Sequence, residues 1–229
     1  MKRIAILQSN YIPWKGYFDL VASVDEFIIY DEMQFTKNDW RNRNKIKTPS
    51  GLRWLTVPVG QDINRRICDV GIDSPVWQSK HWKSIVSNYG RSKFFDEISA
   101  WLMPMYMKEE HKNLSNMNLF FIKKICKYLG IETRISSVRD YEMIDGKTER
   151  LASLCLQSGA THYVSGPAAR EYIREELFSQ NGIELNWFSY EGYPEYEQLW
   201  GDFEHGVSIL DLLFNCGPKS GEKMKWVHK

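Results

Sequence analysis

Three clusters of polar residues hold the chemistry this chain could perform. The first, Gln8, Asn10, Tyr11, Pro13, Lys15 and Gly16, directly follows the short apolar run Ile4–Leu7. The second crowds Gln34, Asn38, Asp39, Arg41, Asn42, Arg43 and Asn44 beside Phe35 and Trp40, a few residues after Asp31. Amides and guanidinium groups together hold phosphates, sugar hydroxyls and base edges. Arg41 and Arg43 alternate, so on an extended chain both face one side. A plain solvated basic loop is the competing explanation. The third cluster is the turn Ser165-Gly166-Pro167. Glycine there lets the backbone approach a ligand, and proline suits the first turn of a following helix, whose free N–H groups favour a phosphate or carboxylate. The same tripeptide is also an ordinary helix start.

Smaller signals lie elsewhere. Lys147 and Arg150 open a helix after Gly146; Tyr193, Pro194, Tyr196 and Gln198 form an aromatic-polar loop suited to lining a sugar or base. Asp211 and Asn215 stand four apart on an otherwise apolar helix and need partners there. His162 falls in a strand-like run, where a structural histidine is as natural as a catalytic one. Lys15 occupies the strand-to-helix turn at which nucleotidyl-transferring folds place a Pro-x-His-x-Gly-His element. Pro13 and Gly16 keep that rhythm, but Lys15, Tyr17 and Phe18 replace the histidines, and neither a Walker P-loop nor Gly-x-Gly-x-x-Gly occurs.

The elements that must position these groups read as an α/β pattern. Residues 3–8 and Phe27–Tyr30 predict buried parallel strands around a helix at Tyr17–Val24, a β-loop-α-β unit like the opening of many nucleotide-binding folds. Lys45–Lys47 and Leu52–Val59 flank Thr48-Pro49-Ser50-Gly51 as a hairpin. A helical block fills Val76–Leu129, interrupted in the middle by Pro104. Strands at Thr133–Ser136, His162–Val164 and Ile183–Phe188 then alternate with helices at Lys147–Ser158, Ala168–Phe178 and Ser208–Asn215. The expected fold is therefore a mainly parallel sheet with a hairpin, in one domain over residues 1–229, with a helical insertion at about 76–130. Lys219–Lys229 reads as a frayed basic tail. In such a sheet ligands bind beyond the carboxyl ends of the strands, where all three polar clusters fall.

Composition narrows the function classes. The 229 residues are 43% hydrophobic and 26% charged, enough for a folded core, and the 14% aromatic share suits a pocket for a polar ring compound. A formal net charge of +1 disfavours a dedicated nucleic-acid binder, although Lys37, Arg41, Arg43, Lys45 and Lys47 face only Asp39 locally. The apolar runs are too short to span a bilayer or serve as a signal peptide. Cys68, Cys126, Cys155 and Cys216 are widely spaced, which argues against zinc and disulfides and for buried free thiols in a reducing cytoplasm.

The strings Gln8-Ser9-Asn10-Tyr11-Ile12-Pro13-Trp14-Lys15-Gly16-Tyr17-Phe18 and Gln34 to Asn44 resemble the signature of the WbqC-like proteins. Lys147 to Leu151, Thr161 to Ala169 and Ser208 to Gly217 extend the resemblance over nearly the whole chain. It implies a role near bacterial surface-polysaccharide (O-antigen) biosynthesis, in which glycine or another acyl group is attached to an amino sugar. The expected reaction is amide formation on a nucleotide-linked amino sugar, by ATP activation with Mg²⁺ or from a preformed activated donor, an aminoacyl-tRNA included. Lys15, Arg41 and Arg43 would then stabilise phosphate charge, while Gln8, Asn10, Asn38 and Asn42 position substrates. His162 or Asp31 would handle the amine proton. Tyr11, Gln34, Lys147, Arg150, Ser165, Gly166, Tyr193, Asp211 and Asn215 complete the candidate set, and no metal ligands are expected. Nucleotidyl or glycosyl transfer, or a non-catalytic sugar-nucleotide-binding module, are the rival expectations.

Overall fold

The structure is a computed structural model describing residues 1–227. Five parallel strands, β1 (Arg3–Leu7), β2 (Glu26–Ile29), β5 (Arg134–Ser137), β6 (His162–Ser165) and β7 (Glu184–Trp187), form a sheet ordered β5-β2-β1-β6-β7. Strand side chains alternate between faces, so β1 sends Ala5 into one core and Ile4 and Ile6 into another. The first core is covered by α1 (Lys15–Ala22), by the helical block and by α7 (Ile209–Cys216). The second is covered by α5 (Lys147–Gln157) and α6 (Glu176–Ser179), through Leu151, Leu154 and Phe178. This is an α/β fold, as the sequence predicted. The chain proceeds outward from β1 to β2 and β5, then returns across the sheet to β6. The crevice between the carboxyl ends of β1 and β6 is therefore the topological switch point, where ligands bind in doubly wound sheets.

Two insertions sit between β2 and β5. The hairpin pairs β3 (Arg43–Thr48) with β4 (Gly51–Thr56) around the Pro49-Ser50 turn. Its inner face buries Ile46 and Leu55, while Arg43, Lys45 and Trp54 lie on the other side. The helical block comprises α2 (Val76–Tyr89), α3 (Phe95–Met107) and α4 (Leu114–Leu129). Asn113 caps α4 by accepting the Asn116 N–H, and Gly130 ends it at φ +71°, a conformation that glycine adopts without strain.

Three expectations need correction. Pro104 lies inside α3 rather than between helices, because burial of Leu102, Met105 and Tyr106 around it offsets the one missing N–H bond. Residues 168–178 are not one helix: a 3₁₀ turn at Pro167–Glu171 is followed by the short α6. The Thr148 hydroxyl donates to the Tyr172 carbonyl at 3.2 Å and accepts the Arg174 N–H at 3.3 Å, capturing backbone groups that a continuous helix would use. The segment after Gly217 is not frayed. Gly217–Lys223 is 3₁₀-helical, and the buried carboxylate of Asp19 accepts the N–H groups of Lys225 and Trp226 at 2.6–3.0 Å. His228 and Lys229 lie outside the described residues.

Candidate functional site

Asp31, just beyond β2, accepts the Ser9 N–H at 2.8 Å and the Ser9 hydroxyl at 2.6 Å, and it also accepts the Ser115 hydroxyl of α4. Asn118 donates to Ser9 Oγ at 3.2 Å and to the Arg41 carbonyl at 2.8 Å. Ser9 is thereby fixed, and the side chains of its neighbours Gln8 and Asn10 converge on one guanidinium. Arg41 joins them: Nη2 donates to Gln8 Oε1 at 3.1 Å and Nη1 donates to Asn10 Oδ1. Asp39 stands 3.8 Å away and shares the guanidinium charge.

Each end of this polar bridge opens on a cavity. Gln8 lines the larger, about 530 Å³, at the switch point between β1 and β6. Ile6, Leu7, Tyr163 and Val164 give it an apolar floor, with Lys147, Arg150, Ser165 and Gly166 around it. Arg150 Nη1 reaches the Tyr30 hydroxyl at 3.4 Å, which aims the guanidinium across the cavity wall. Asn10 lines the smaller, about 320 Å³, with Pro13, Trp14, Trp40, Asn44 and His205. His205 is exposed, yet partial desolvation and the nearby Lys15 charge lower its pKa below the ordinary 6.5, so the neutral ring predominates at neutral pH.

The Ser165-Gly166-Pro167 turn does reach the larger cavity, but not as a helix terminus. Only a five-residue 3₁₀ turn follows, too short for an appreciable dipole. Gly166 has φ −70°, which any residue adopts, and a Cβ there would make only ordinary contact with the Tyr190 hydroxyl at 3.6 Å, so neither backbone nor space requires glycine.

Lys15 is the largest departure from expectation. It is buried, and its ammonium sits 5.1–5.6 Å from the ring centres of Tyr193, Tyr196 and Phe203, donating one hydrogen bond to the Pro194 carbonyl at 3.1 Å. Desolvation lowers its pKa to about 8. The turn that would cradle a phosphate at α1 is filled by the Trp14 indole, which lies so close over Gly16 that any side chain at residue 16 would collide with it. Lys15 therefore anchors the irregular segment 188–207 rather than facing either cavity.

The other expected residues line neither cavity. His162 opens β6 at the amino edge of the sheet, beside Glu184 at 3.4 Å and Thr161 at 2.8 Å, away from both cavities. Asp31 serves the loop and touches no cavity. Tyr11 is fully buried and bonds to His81 Nδ1 at 2.8 Å and the Tyr106 hydroxyl at 2.7 Å. Asn42 is buried and donates to the Val57 carbonyl at 3.0 Å. Gln34 is exposed, donating to the Ile63 carbonyl at 3.3 Å, and Asn38 occupies an exposed turn at φ +59°. Tyr193 donates to buried Asp19 at 2.8 Å. Asp211, fully buried, accepts from Tyr89 and Tyr196 at 2.9 Å each, and Asn215 donates to its carbonyl at 2.8 Å. Arg43 lies over the Trp54 ring at 4.1 Å, on the hairpin.

Sequence reasoning passed over His205 and Trp14 as cavity residues. Nothing in the string Phe203-Glu204-His205-Gly206 marks His205, because it is brought to Asn10 by the fold of segment 188–207, which Lys15, Asp19, Lys47 and Asp211 hold in place. Among the described residues no group of three or more His, Cys, Asp or Glu side chains is placed to hold a metal ion, and no helix is long and apolar enough to cross a membrane.

Comparison with known proteins agrees with the motif resemblance. The profile of the WbqC-like protein family matches residues 8–223. A Mycobacterium tuberculosis protein named "Uncharacterized protein Rv1507c" is 54% identical over 228 residues, covering 99% of each chain. No solved structure matches.

Proposed function

The chain belongs to the WbqC-like protein family, and we propose on that premise that it is an enzyme joining an acyl or aminoacyl group to a sugar amine. The acceptor is a nucleotide-linked amino sugar of the kind used in bacterial surface polysaccharides. One observation carries the reading: two cavities of different character are each lined by one end of the polar bridge Gln8–Arg41–Asn10. A group-transfer enzyme must hold donor and acceptor with their reacting atoms in contact, which here requires both ligands to reach the Arg41 guanidinium from their own cavities.

The switch-point cavity suits the donor. Its floor is apolar, and Lys147 and Arg150 supply charge for the phosphate of an activated carrier. The smaller cavity suits the acceptor, with the Trp14 and Trp40 rings to face a pyranose and Asn10 to hydrogen-bond it. In the transfer step the amine nitrogen bonds to the acyl carbon as the leaving group departs with its electron pair. The His205 ring nitrogen takes the amine proton, and Arg41 and Gln8 stabilise the oxygen on which negative charge develops.

A preformed activated donor fits these residues better than ATP activation at the α1 turn. Trp14 fills that turn, and Lys15 is held among aromatic rings. ATP phosphates would instead have to meet Lys147 and Arg150, with Mg²⁺ carried on the nucleotide.

The test is a thermal-shift screen with ATP, coenzyme A, UDP-sugars and dTDP-sugars, since a ligand that binds only the folded state raises its stability. Stabilisation by one carrier and, additively, by one sugar nucleotide is expected. A response to a single class, unchanged in Arg41→Ala, would contradict the two-substrate reading and favour a binding module.

A further inference from the structure

The hairpin beside the acceptor cavity carries groups that the transfer step leaves unused. Between residues 37 and 66 the chain has eight Lys or Arg against two Asp, whereas the whole chain has 30 basic and 29 acidic residues. Positive charge is therefore concentrated here and offset elsewhere. On the outer face of the hairpin Lys45 stands directly across from Trp54, its ammonium 5.1 Å from that ring and 5.9 Å from Trp40. Arg43 covers Trp54 at 4.1 Å, and the Trp40 and Trp54 rings lie 5.3 Å apart. Among the described residues neither Lys45 nor Arg43 forms a salt bridge, and the Arg43 Nε is buried without a hydrogen-bond partner. Both indoles are about 40% exposed, at 42% and 39%.

Trp40 belongs to this patch and to the cavity at once. A ligand seated against Trp14 and Trp40 thus leaves toward two unpaired cations 4–6 Å from an aromatic ring. A free sugar offers those cations only neutral hydroxyls. A sugar whose anomeric carbon carries a pyrophosphate has: the ring fills the cavity, and the phosphates meet Lys45 and Arg43.

We propose that the Trp14–Trp40 cavity and the Lys45–Arg43 face of the hairpin together form a binding site for a sugar linked to pyrophosphate. This deepens the proposed transfer reaction and rests on it for the role of the sugar as acceptor. The pyrophosphate can come from a nucleotide or from a lipid carrier, which share the recognised group. The apolar share of the patch, Leu52 included, is compatible with both.

The test uses the full chain and tryptophan fluorescence or calorimetric titration. The probes are UDP-glucosamine, farnesyl-diphosphate-linked glucosamine, free glucosamine and inorganic pyrophosphate. At least one diphosphate-linked sugar should bind ten-fold or more tightly than either fragment. Trp40→Ala and Lys45→Gln, both on the hairpin side and remote from the cores, should each weaken it ten-fold, and Arg150→Ala should leave it within two-fold. Tighter binding of the UDP form identifies a nucleotide source, and of the farnesyl form a lipid source. Failure of both diphosphate sugars to bind, or binding unaffected by Trp40→Ala and Lys45→Gln, overturns the assignment. Binding lost instead in Arg150→Ala would place the sugar at the switch point, overturning this site while leaving group transfer itself standing.

Discussion

Asp31 accepts both the backbone N–H and the hydroxyl of Ser9, so one buried carboxylate sets the direction of the two residues on either side of that serine. The loop after β1 needs such an external fastener, since it has neither a glycine-rich turn nor a helix directly behind it. Asp31→Ala removes an acceptor that three donors depend on and leaves them buried without it. A loss of about 2–4 kcal/mol is expected in urea denaturation. Ligand binding should fall in both cavities together, because Gln8 and Asn10 lose their common reference.

Arg41→Ala separates structure from chemistry. Arg41 donates to two part-buried loop side chains but packs in neither core, so the melting temperature of the variant should stay within a few degrees of the wild type. Transfer should fall at least 100-fold, since one stabilising donor at a developing oxyanion commonly contributes 100- to 1,000-fold. A large melting-temperature loss would instead assign Arg41 to folding.

Lys15 gives a prediction of opposite sign. Its pKa is about 8 in the fold, against about 10.5 for an ordinary lysine. Between those values the unfolded chain binds more protons, so this group makes the protein more stable as pH rises from 8 toward 10.5. Lys15→Met keeps the length of the side chain and removes the charge. It should fold, melt at or above the wild-type temperature at pH 7, and lose that alkaline gain. Activity within a few-fold of wild type would show that the lysine charge does not act on a phosphate.

His81 sets the acid limit. Burial lowers its pKa to about 4, and its neutral ring bonds to the Tyr11 hydroxyl. The unfolded chain takes up that proton near 6.5, so stability is present above that pH and is lost as pH falls toward 4. The loss amounts to as much as about 3 kcal/mol. Denaturation midpoints at pH 7 and pH 4.5 measure it, and His81→Gln should flatten the difference.

His205 predicts the rate profile. Its pKa lies below 6.5, so transfer should rise with pH up to about that value and then level off. His205→Gln should abolish the rise and lower the rate about 100-fold while acceptor binding stays within a few-fold.

Much of this architecture was legible in the residues. Short apolar runs at Ile4–Leu7 and Phe27–Tyr30 mark strands because a parallel sheet is buried on both faces, and Gly130 and Gly159 mark helix ends. Among the residues singled out beyond strand carboxyl ends, Gln8, Asn10, Arg41 and Ser165 lie at the cavities or the bridge. Lys15 and Asp31 lie in the same loops but turn inward. Position along the chain does not disclose which way a side chain points when a distant segment supplies its surroundings: Tyr193, Tyr196 and Phe203 for Lys15, Ser115 for Asp31. His162 illustrates a different point, since as the first residue of its strand it had to lie at the amino edge, opposite the Ser165 end where ligands bind. His205 was invisible for the same reason that the direction of Lys15 was, because both depend on how segment 188–207 folds over α1.

The most direct test of two substrates meeting at the Gln8–Arg41–Asn10 bridge is product detection by mass spectrometry. The purified chain would be incubated with UDP-glucosamine and, separately, glycyl-coenzyme A, a glycyl-tRNA, or glycine with ATP and Mg²⁺. An N-glycyl sugar nucleotide from one donor, absent with Arg41→Ala, is the predicted result. Acceptor binding with no amide product from any donor, in wild-type protein that is folded and saturated, would contradict the account and make the chain a binding module.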